Sequence, residues 1–192
     1  PWKNMNELIQ YAKQNPGMVT YTTTGAGTTM HVSFQYIEKQ AGLQWTHVPY
    51  PAAKQGLAAV LGGHVQVAVG STQWAPEVRD GSMRLLAITS GKRMAAYPDV
   101  PTIRELGYDF GADSVSVIVG PKGMPQAILE KLNDAFAKAM EDAEFKRLLG
   151  NLALEGSYRS GPELRRYLDE VCRDFAKVIV ELKLPTEFDA KR

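Results

Sequence analysis

One cysteine, Cys172, occurs in 192 residues, which rules out an intrachain disulfide and leaves no second thiol for a metal site. Net charge is nearly absent as well: 22 Lys and Arg stand against 21 Asp and Glu, a formal +1 at pH 7. That balance lacks the basic footprint of a nucleic-acid or membrane-surface binder. No apolar run reaches the roughly 20 residues that a helix needs to cross a bilayer. The chain opens on Pro1-Trp2-Lys3-Asn4, without an initiator methionine or a signal peptide, and is expected to be a mature or trimmed fragment. What remains is 44% hydrophobic and 22% charged, enough apolar material for one sizeable core or two small ones. Charges crowd into the last third, as in Glu130-Lys131, Glu141-Asp142 and Arg165-Arg166, and read as solvated helix faces. Cys172 lies in a helical stretch with no histidine nearby, so a core or boundary thiol is expected rather than a nucleophile.

Along the chain the hydrophobic period switches repeatedly between helix and strand. Asn4 and Glu7 form a capping-box pattern that opens a short helix through Leu8, Ile9 and Ala12, stopped at Asn15-Pro16-Gly17. Val19-Thr20-Tyr21-Thr22 is a predicted strand, broken by Gly25-Ala26-Gly27, and a helix carrying Val32, Phe34 and Ile37 runs on to Gly42. Trp45 to Val48 is a second strand, and Leu57, Val60 and Leu61 mark a helix ending at Gly62-Gly63. Val65 to Val69 is a third strand, apolar enough to be buried on both faces. Ser71 to Val78 suggests a helix with Pro76 in its path, and Arg84 to Thr89 a fourth strand. This alternation over short connections predicts an α/β fold with a largely parallel sheet. Val115 to Val119 is a predicted last strand. Two long amphipathic helices follow, one from Pro125 with Ile128, Leu132, Phe136 and Met140, the other from the Ser160-Gly161-Pro162-Glu163 box. Helices of that kind need a partner surface, so the chain is expected to hold one complete α/β unit and the tail of another.

The strongest local pattern is Thr22-Thr23-Thr24-Gly25-Ala26-Gly27-Thr28-Thr29-Met30-His31. A strand ends, glycines turn the backbone, and a helix begins whose first N–H groups have no intrahelical partner. Such a junction can hold an anion on main-chain donors, with threonine hydroxyls adding further hydrogen bonds. The same residues would also serve a plain structural role, the threonines capping the helix and the glycines turning the chain. A dinucleotide fingerprint would need glycine where Met30 stands and an acid near Trp45-Thr46-His47-Val48-Pro49-Tyr50. A phosphate-binding P-loop would need a lysine that Gly27-Thr28-Thr29 does not provide. His31, His47 and His64 are too far apart in sequence for a local metal pair. His31, in the first helical turn, is a candidate to touch a ligand. No Gly-x-Ser-x-Gly elbow occurs, and paired acids such as Glu141-Asp142 sit on helix surfaces away from the glycine loop. No catalytic constellation, cofactor site or metal site is predicted.

Val48-Pro49-Tyr50, followed by Gly56-Leu57-Ala58-Ala59-Val60-Leu61-Gly62-Gly63-His64-Val65-Gln66, resembles a stretch of the substrate-binding receptors of tripartite tricarboxylate transporters, the Bug-type periplasmic proteins. The resemblance extends in order through Asn15-Pro16-Gly17, the loop from Tyr21 to His31, Leu86 to Arg93, Pro98-Asp99-Val100-Pro101-Thr102 and Pro121-Lys122-Gly123-Met124-Pro125, so it covers nearly the whole chain. It implies a periplasmic-binding-protein-like (type II) bilobal α/β fold closing over a small organic carboxylate, with no enzymatic activity. One lobe, residues 1–112, would be complete. Residues 113–192 would supply the last strand and C-terminal helices of a second lobe, whose N-terminal part and signal peptide lie in a segment absent from this chain. The ligand would be held by Thr23, Thr24, Gly25, Ala26, Gly27, Thr28, Thr29 and His31, with Tyr50, Gly70 and Ser71 lining the cleft. The partners implied are a di- or tricarboxylate or similar acid and the membrane subunits of the transporter, in the periplasm, with no nucleic acid. Alone, the chain is expected to cover the stripe through Ile128, Leu132 and Phe136 with another chain, a copy of itself included, or with a rearranged lobe.

Several positions depart from the family's pattern. Pro51-Ala52-Ala53 replaces a Lys-Gly-Gly, Gly70-Ser71 replaces an Asp-Asn, and Val115 replaces a tryptophan. Loss of the Asp-Asn pair, which would read an amino or hydroxyl group, points away from amino-acid ligands and toward plain or aromatic carboxylates. An alternative with the same bilobal architecture is the effector-binding domain of a transcription regulator, and a third class is an enzyme fragment.

Overall fold

The structure is a computed structural model that describes residues 1–111 and 115–184. The expected boundary between residues 112 and 113 lies outside the described residues. Helix α1 (Met5–Gln14) starts where the Asn4 side chain accepts the Glu7 N–H at 2.9 Å. Glu7 reaches back one residue further than a capping box requires, accepting the Lys3 N–H at 2.8 Å. Strand β1 (Val19–Thr22) follows, then helix α2 (Thr29–Ala41), closed by Gly42 in the left-handed conformation at φ 64°. β2 (Trp45–His47), α3 (Ala53–Leu61) and β3 (Val67–Ala68) complete a three-stranded parallel sheet in the order β2-β1-β3. Val19 stands opposite Trp45, and Tyr21 stands between His47 on one side and Val67 on the other.

The two faces of β1 are covered differently. Tyr21 packs among the rings of Phe34 and Trp45 at 5.0 and 6.0 Å. It belongs to a core shared by Met5, Leu8, Ile9 and Ala12 of α1 and by Val32, Phe34 and Ile37 of α2. Thr22 points the opposite way, as strand alternation requires. There, a Cβ added to Gly56 of α3 would lie 3.1 Å from the Thr22 side chain. Glycine lets α3 sit directly on the end of the central strand.

The third strand is shorter than its apolar run suggested. Val65, Val67 and Val69 are buried, but Gln66 is exposed and its side chain accepts the Thr20 N–H at 2.9 Å. The segment is therefore buried on one face only. After it come a 3-10 turn (Thr72–Trp74) and a short helix α4 (Ala75–Arg79) with Pro76 in its first turn. Arg84 to Thr89 is not a strand. It makes one bridge, Ile88 to Thr102, with Ile88 N–H on the Pro101 carbonyl at 2.9 Å. Pro101 has no N–H to return, which stops a ladder at that point.

Val115 to Val119, expected as a strand, has no strand partner among the described residues, and Ile118 and Val119 are 70% and 84% exposed. The helical pattern beyond it divides into α5 (Gln126–Glu141), α6 (Ala143–Asn151) and α7 (Gly161–Leu182). The break falls at Asp142, which leaves helical geometry at ψ 133° and accepts the Phe145 N–H on its side chain at 2.9 Å. α7 begins with Glu163 accepting both the N–H and the hydroxyl of Ser160, at 2.9 and 2.6 Å. Its final turns dock on the first region. Phe175 meets Phe110 edge-on at 4.9 Å, Val178 is buried, and Gln40 of α2 donates to Glu181 at 2.8 Å. Its earlier half buries no residue fully, and Leu164, Tyr167, Leu168 and Val171 are half-buried there. Cys172, expected as a core or boundary thiol, is exposed, at the flank of the stripe that carries the half-buried Leu168 and Val171.

Candidate functional site

The three parallel strands end together, and the site candidates gather at their carboxyl edge. β1 runs out at Thr22-Thr23. Val48 N–H bonds the Tyr21 carbonyl at 2.8 Å, Tyr50 N–H the Thr23 carbonyl at 3.1 Å, and Val69 N–H the Thr22 carbonyl at 2.9 Å. This is where open parallel sheets present their ligands. A small notch lies there, lined by Thr22, Thr23 and Thr24, by Gly56 and Leu57 of α3, and by Gly70, Ser71 and Trp74 after β3. It encloses about 20 Å³, roughly the space of one water molecule. These walls therefore make a partial surface rather than an enclosed pocket.

From Thr24 the backbone swings away through Gly25 at φ 146° and Gly27 at φ 75°, conformations that side chains rarely adopt. It then enters α2 with Thr28 as its N-cap. The Thr28 hydroxyl donates to the Gly25 carbonyl at 2.9 Å and accepts the His31 N–H at 3.4 Å. Thr23, almost fully buried, has its hydroxyl bonded to both the N–H and the carbonyl of Gly25, at 3.2 and 3.0 Å, and to His47 Nε2 at 2.8 Å. The hydroxyls of Thr23 and Thr28 thus shape the loop. Those of Thr24 and Thr29 have no partner among the described residues, and neither do the N–H groups of Ala26, Thr28, Thr29 and Met30. Three of these donors, on Thr28, Thr29 and Met30, stand at the positive end of a 13-residue helix, where a carboxylate is favoured, and Ala26 lies in the loop just before it.

His31 is placed otherwise than as a free side chain. Its Nδ1 accepts the Gly27 N–H at 3.1 Å, so a neutral His31 carries its proton on Nε2. The ring lies over His47, with centroids 4.2 Å apart. Burial holds both imidazoles below their ordinary pKa, and for His47 the neighbouring His31 adds to the depression. Tyr21, beneath both rings, has its phenol pushed up, first by burial and then by the Glu38 carboxylate. This stack was not legible from sequence, because it depends on the register that sets His47 beside Tyr21.

The structure therefore brings Thr23, Thr24, Gly70 and Ser71 around one notch, and continues directly from it into Gly25, Ala26, Gly27, Thr28 and Thr29. Tyr50 is half-buried beside the loop and is not among the residues lining the notch. Leu57, Gly56 and Trp74 were not anticipated as site residues. The turn Pro49-Tyr50-Pro51, which delivers α3 to the strand ends, was the sequence signal that could have found the first two. Among the described residues no group of three or more His, Cys, Asp and Glu is placed to hold a metal ion.

A parallel sheet whose carboxyl edge leads into a helix start is the architecture of an α/β fold of the periplasmic-binding-protein kind. The profile of the tripartite tricarboxylate transporter family receptor matches residues 1–184, and the chain belongs to that family. The family is one of solute-binding receptors rather than a class of enzymes. Among curated relatives, the UPF0065 protein in the gbd 5' region of Cupriavidus necator is 36% identical over 184 residues, 96% of this chain and 56% of the relative. The chain thus spans a little over half the length of that relative. Among solved structures, R. palustris Rpa4515 with adipate is similar at a TM-score of 0.82 and 25% identity, covering 95% of this chain and 62% of that one. A TctC solute-binding protein from Polaromonas shares the fold at a TM-score of 0.77 and 23% identity, over 94% of this chain and 62% of its own.

Proposed function

We propose that this chain is the anion-gripping part of an extracytoplasmic receptor, which captures a small organic carboxylate in the periplasm and delivers it to a tripartite tricarboxylate-type membrane transporter without chemical turnover. The observation that carries this reading is the set of unpartnered N–H groups at Ala26, Thr28, Thr29 and Met30, beside a notch at the carboxyl ends of three parallel strands. One carboxylate of the ligand sits on those amides. Thr24, Thr29 and Ser71 supply hydroxyls, and Gly25 and Gly27 let the backbone approach. Thr23, Thr28 and His31 hold the loop in shape, and Gly70 and Tyr50 border the cleft.

The shallow notch supports a two-lobed arrangement. Residues 1–112 form one lobe, and residues 113–192 belong to a second lobe whose remainder corresponds to the length by which relatives exceed this chain. That remainder covers Ile128, Leu132 and Phe136, which are 49%, 40% and 39% exposed here. Specific capture then rests on closure of the lobes about a hinge. The family match is to transporter receptors, and the effector-domain reading of the same architecture gains no support from it.

A ligand-bound crystal structure of the protein at the full length its gene encodes tests the reading. Carboxylate oxygens should lie about 2.7–3.2 Å from those four nitrogens. A ligand lodged elsewhere, with the amides facing only solvent or protein, ends it.

A further inference from the structure

The two glycines of the amide loop are each tied to an imidazole. At one end, His47 Nε2 lies 2.8 Å from the Thr23 hydroxyl, which contacts the carbonyl and the N–H of Gly25 at 3.0 and 3.2 Å. That hydroxyl has one proton to give and two lone pairs. When it donates to the Gly25 carbonyl, it accepts the Gly25 N–H on one lone pair and a proton on His47 Nε2 on the other. At the other end, the Gly27 N–H donates to His31 Nδ1 at 3.1 Å. His47 comes from β2 and His31 from α2, and both rings lie over the Tyr21 ring of β1 with their own centroids 4.2 Å apart. The remaining titratable group in this packing is Glu38 of α2, which acts on the Tyr21 phenol and accepts the Trp45 N–H at 3.1 Å. Among the described residues neither imidazole is paired with a carboxylate.

We infer that the histidine pair is a proton-linked clasp on the loop: both imidazoles are neutral while the loop is empty, and a bound carboxylate draws one proton from solvent onto Nδ1 of His31. The inference rests on the carboxylate reading above and adds its regulation. Burial depresses both imidazoles, and two like charges on rings this close repel, so the pair holds one proton at most near neutral pH. A carboxylate on the amides of Ala26 and Thr28, the neighbours of Gly27, brings the opposite charge to the loop and favours the cation. On His31 the proton arrives at the atom that faces the loop. Nδ1 stops accepting, and both the Gly27 N–H and the new Nδ1–H become donors for the anion. On His47 a proton would add no donor to the loop, because Nε2–H already serves Thr23. Binding therefore takes up a proton, and it tightens as pH falls through the window between the empty and loaded values of His31.

Calorimetry on the full-length protein tests this with whichever of oxalate, malonate, succinate and adipate raises its melting temperature most. Titrations at about pH 6.5 in two buffers of different ionisation enthalpy count the protons taken up. The unmodified protein should take up about half a proton more per ligand than His31→Gln, whose amide oxygen can accept the Gly27 N–H but does not titrate. Its affinity should also rise about fivefold more than the variant's between about pH 7.5 and 6.0. Any uptake by the ligand itself is common to both proteins and cancels. Equal uptake overturns the inference but leaves the carboxylate reading standing. Ring-nitrogen chemical shifts of the histidines give a second reading that needs no variant. His31 should titrate about one pH unit higher in the saturated protein than in the empty one. An unmoved His31, or a shift confined to His47, overturns the clasp. Failure of all four acids to bind overturns the carboxylate reading and the inference with it.

Discussion

Residues 1–111 and residues 115–184 are built from similarly amphipathic helices, yet they bury them to different depths. In the first region α1 and α2 close over the sheet, and Leu8, Ala12, Val19 and Ile37 are completely buried. In the second, α5 and α6 contain no buried residue, and α7 buries only Val178. Links between them among the described residues include the end of α7 on α2 and on Phe110, Arg79 donating to the Asn151 carbonyl at 2.8 Å, and Glu155 accepting the Ala95 N–H and pairing with Lys92 at 3.4 Å. Hydrophobic periodicity reports which face of a helix wants cover; it does not say whether the cover is present in the same stretch of chain.

Core truncation should separate the two regions most. Ile37→Ala or Leu8→Ala should cost about 2–5 kcal/mol in urea unfolding, whereas Leu132→Ala in the isolated 192-residue chain should cost no more than about 0.5 kcal/mol. Repeating Leu132→Ala in the full-length protein breaks the contrast if the proposed second lobe covers that face, raising the loss to about 2 kcal/mol or more. An unchanged small loss at full length would leave α5 without its proposed cover. Next in size is the docking of α7. Phe175→Ala removes the edge-on contact with Phe110 and should cost about 1–3 kcal/mol. Hydrogen exchange should speed up along α7 and stay slow in β1. Thr28→Ala removes the N-cap of α2 and should cost about 1 kcal/mol, with a larger fractional loss in carboxylate affinity than in melting temperature.

The smallest effect expected is the pH dependence of the histidine stack. His31 and His47 have folded pKa values below their ordinary ones, so the unfolded chain binds more protons over the window where they titrate. Their contribution is therefore fully present above about pH 6.5 and is lost as pH falls through the folded values. Melting temperature should decline on acidification, and His31→Gln should flatten that decline. Protonation of His31 also removes the Nδ1 acceptor from the Gly27 N–H, which adds a donor to the loop. Carboxylate affinity measured at pH 7.5 and 5.5 should rise at the lower value for an acid that stays ionised.

Much of the first region was legible because local chemistry and tertiary packing agree there. Asn4, Thr28 and Gly42 sit at the helix ends their residue types favour, and Gly25 and Gly27 take the positive φ values that the loop needs. Where expectation failed, a single residue usually decided it. Pro101 lacks the N–H that would extend a ladder from Ile88, Gln66 turns its side chain to Thr20 and leaves the third strand half-exposed, and Asp142 caps a helix, α6, that the apolar pattern did not reveal. The loop of the candidate site could be read from spacing, since its residues are adjacent in sequence. The notch walls could not, because Leu57 and Trp74 meet only through the order in which the strands pair.

α7 docks on the first region through its last two turns. Its 22 residues extend about 33 Å, and some 20 Å of that length stands clear of the docked turns. A rod held this way magnifies rotation, so that ten degrees of tilt at Phe175 carries the far tip about 4 Å. The other end of α2, on which the rod is seated, is the cradle of amides. The seat of α7 and the amides of the loop thus belong to one 13-residue helix.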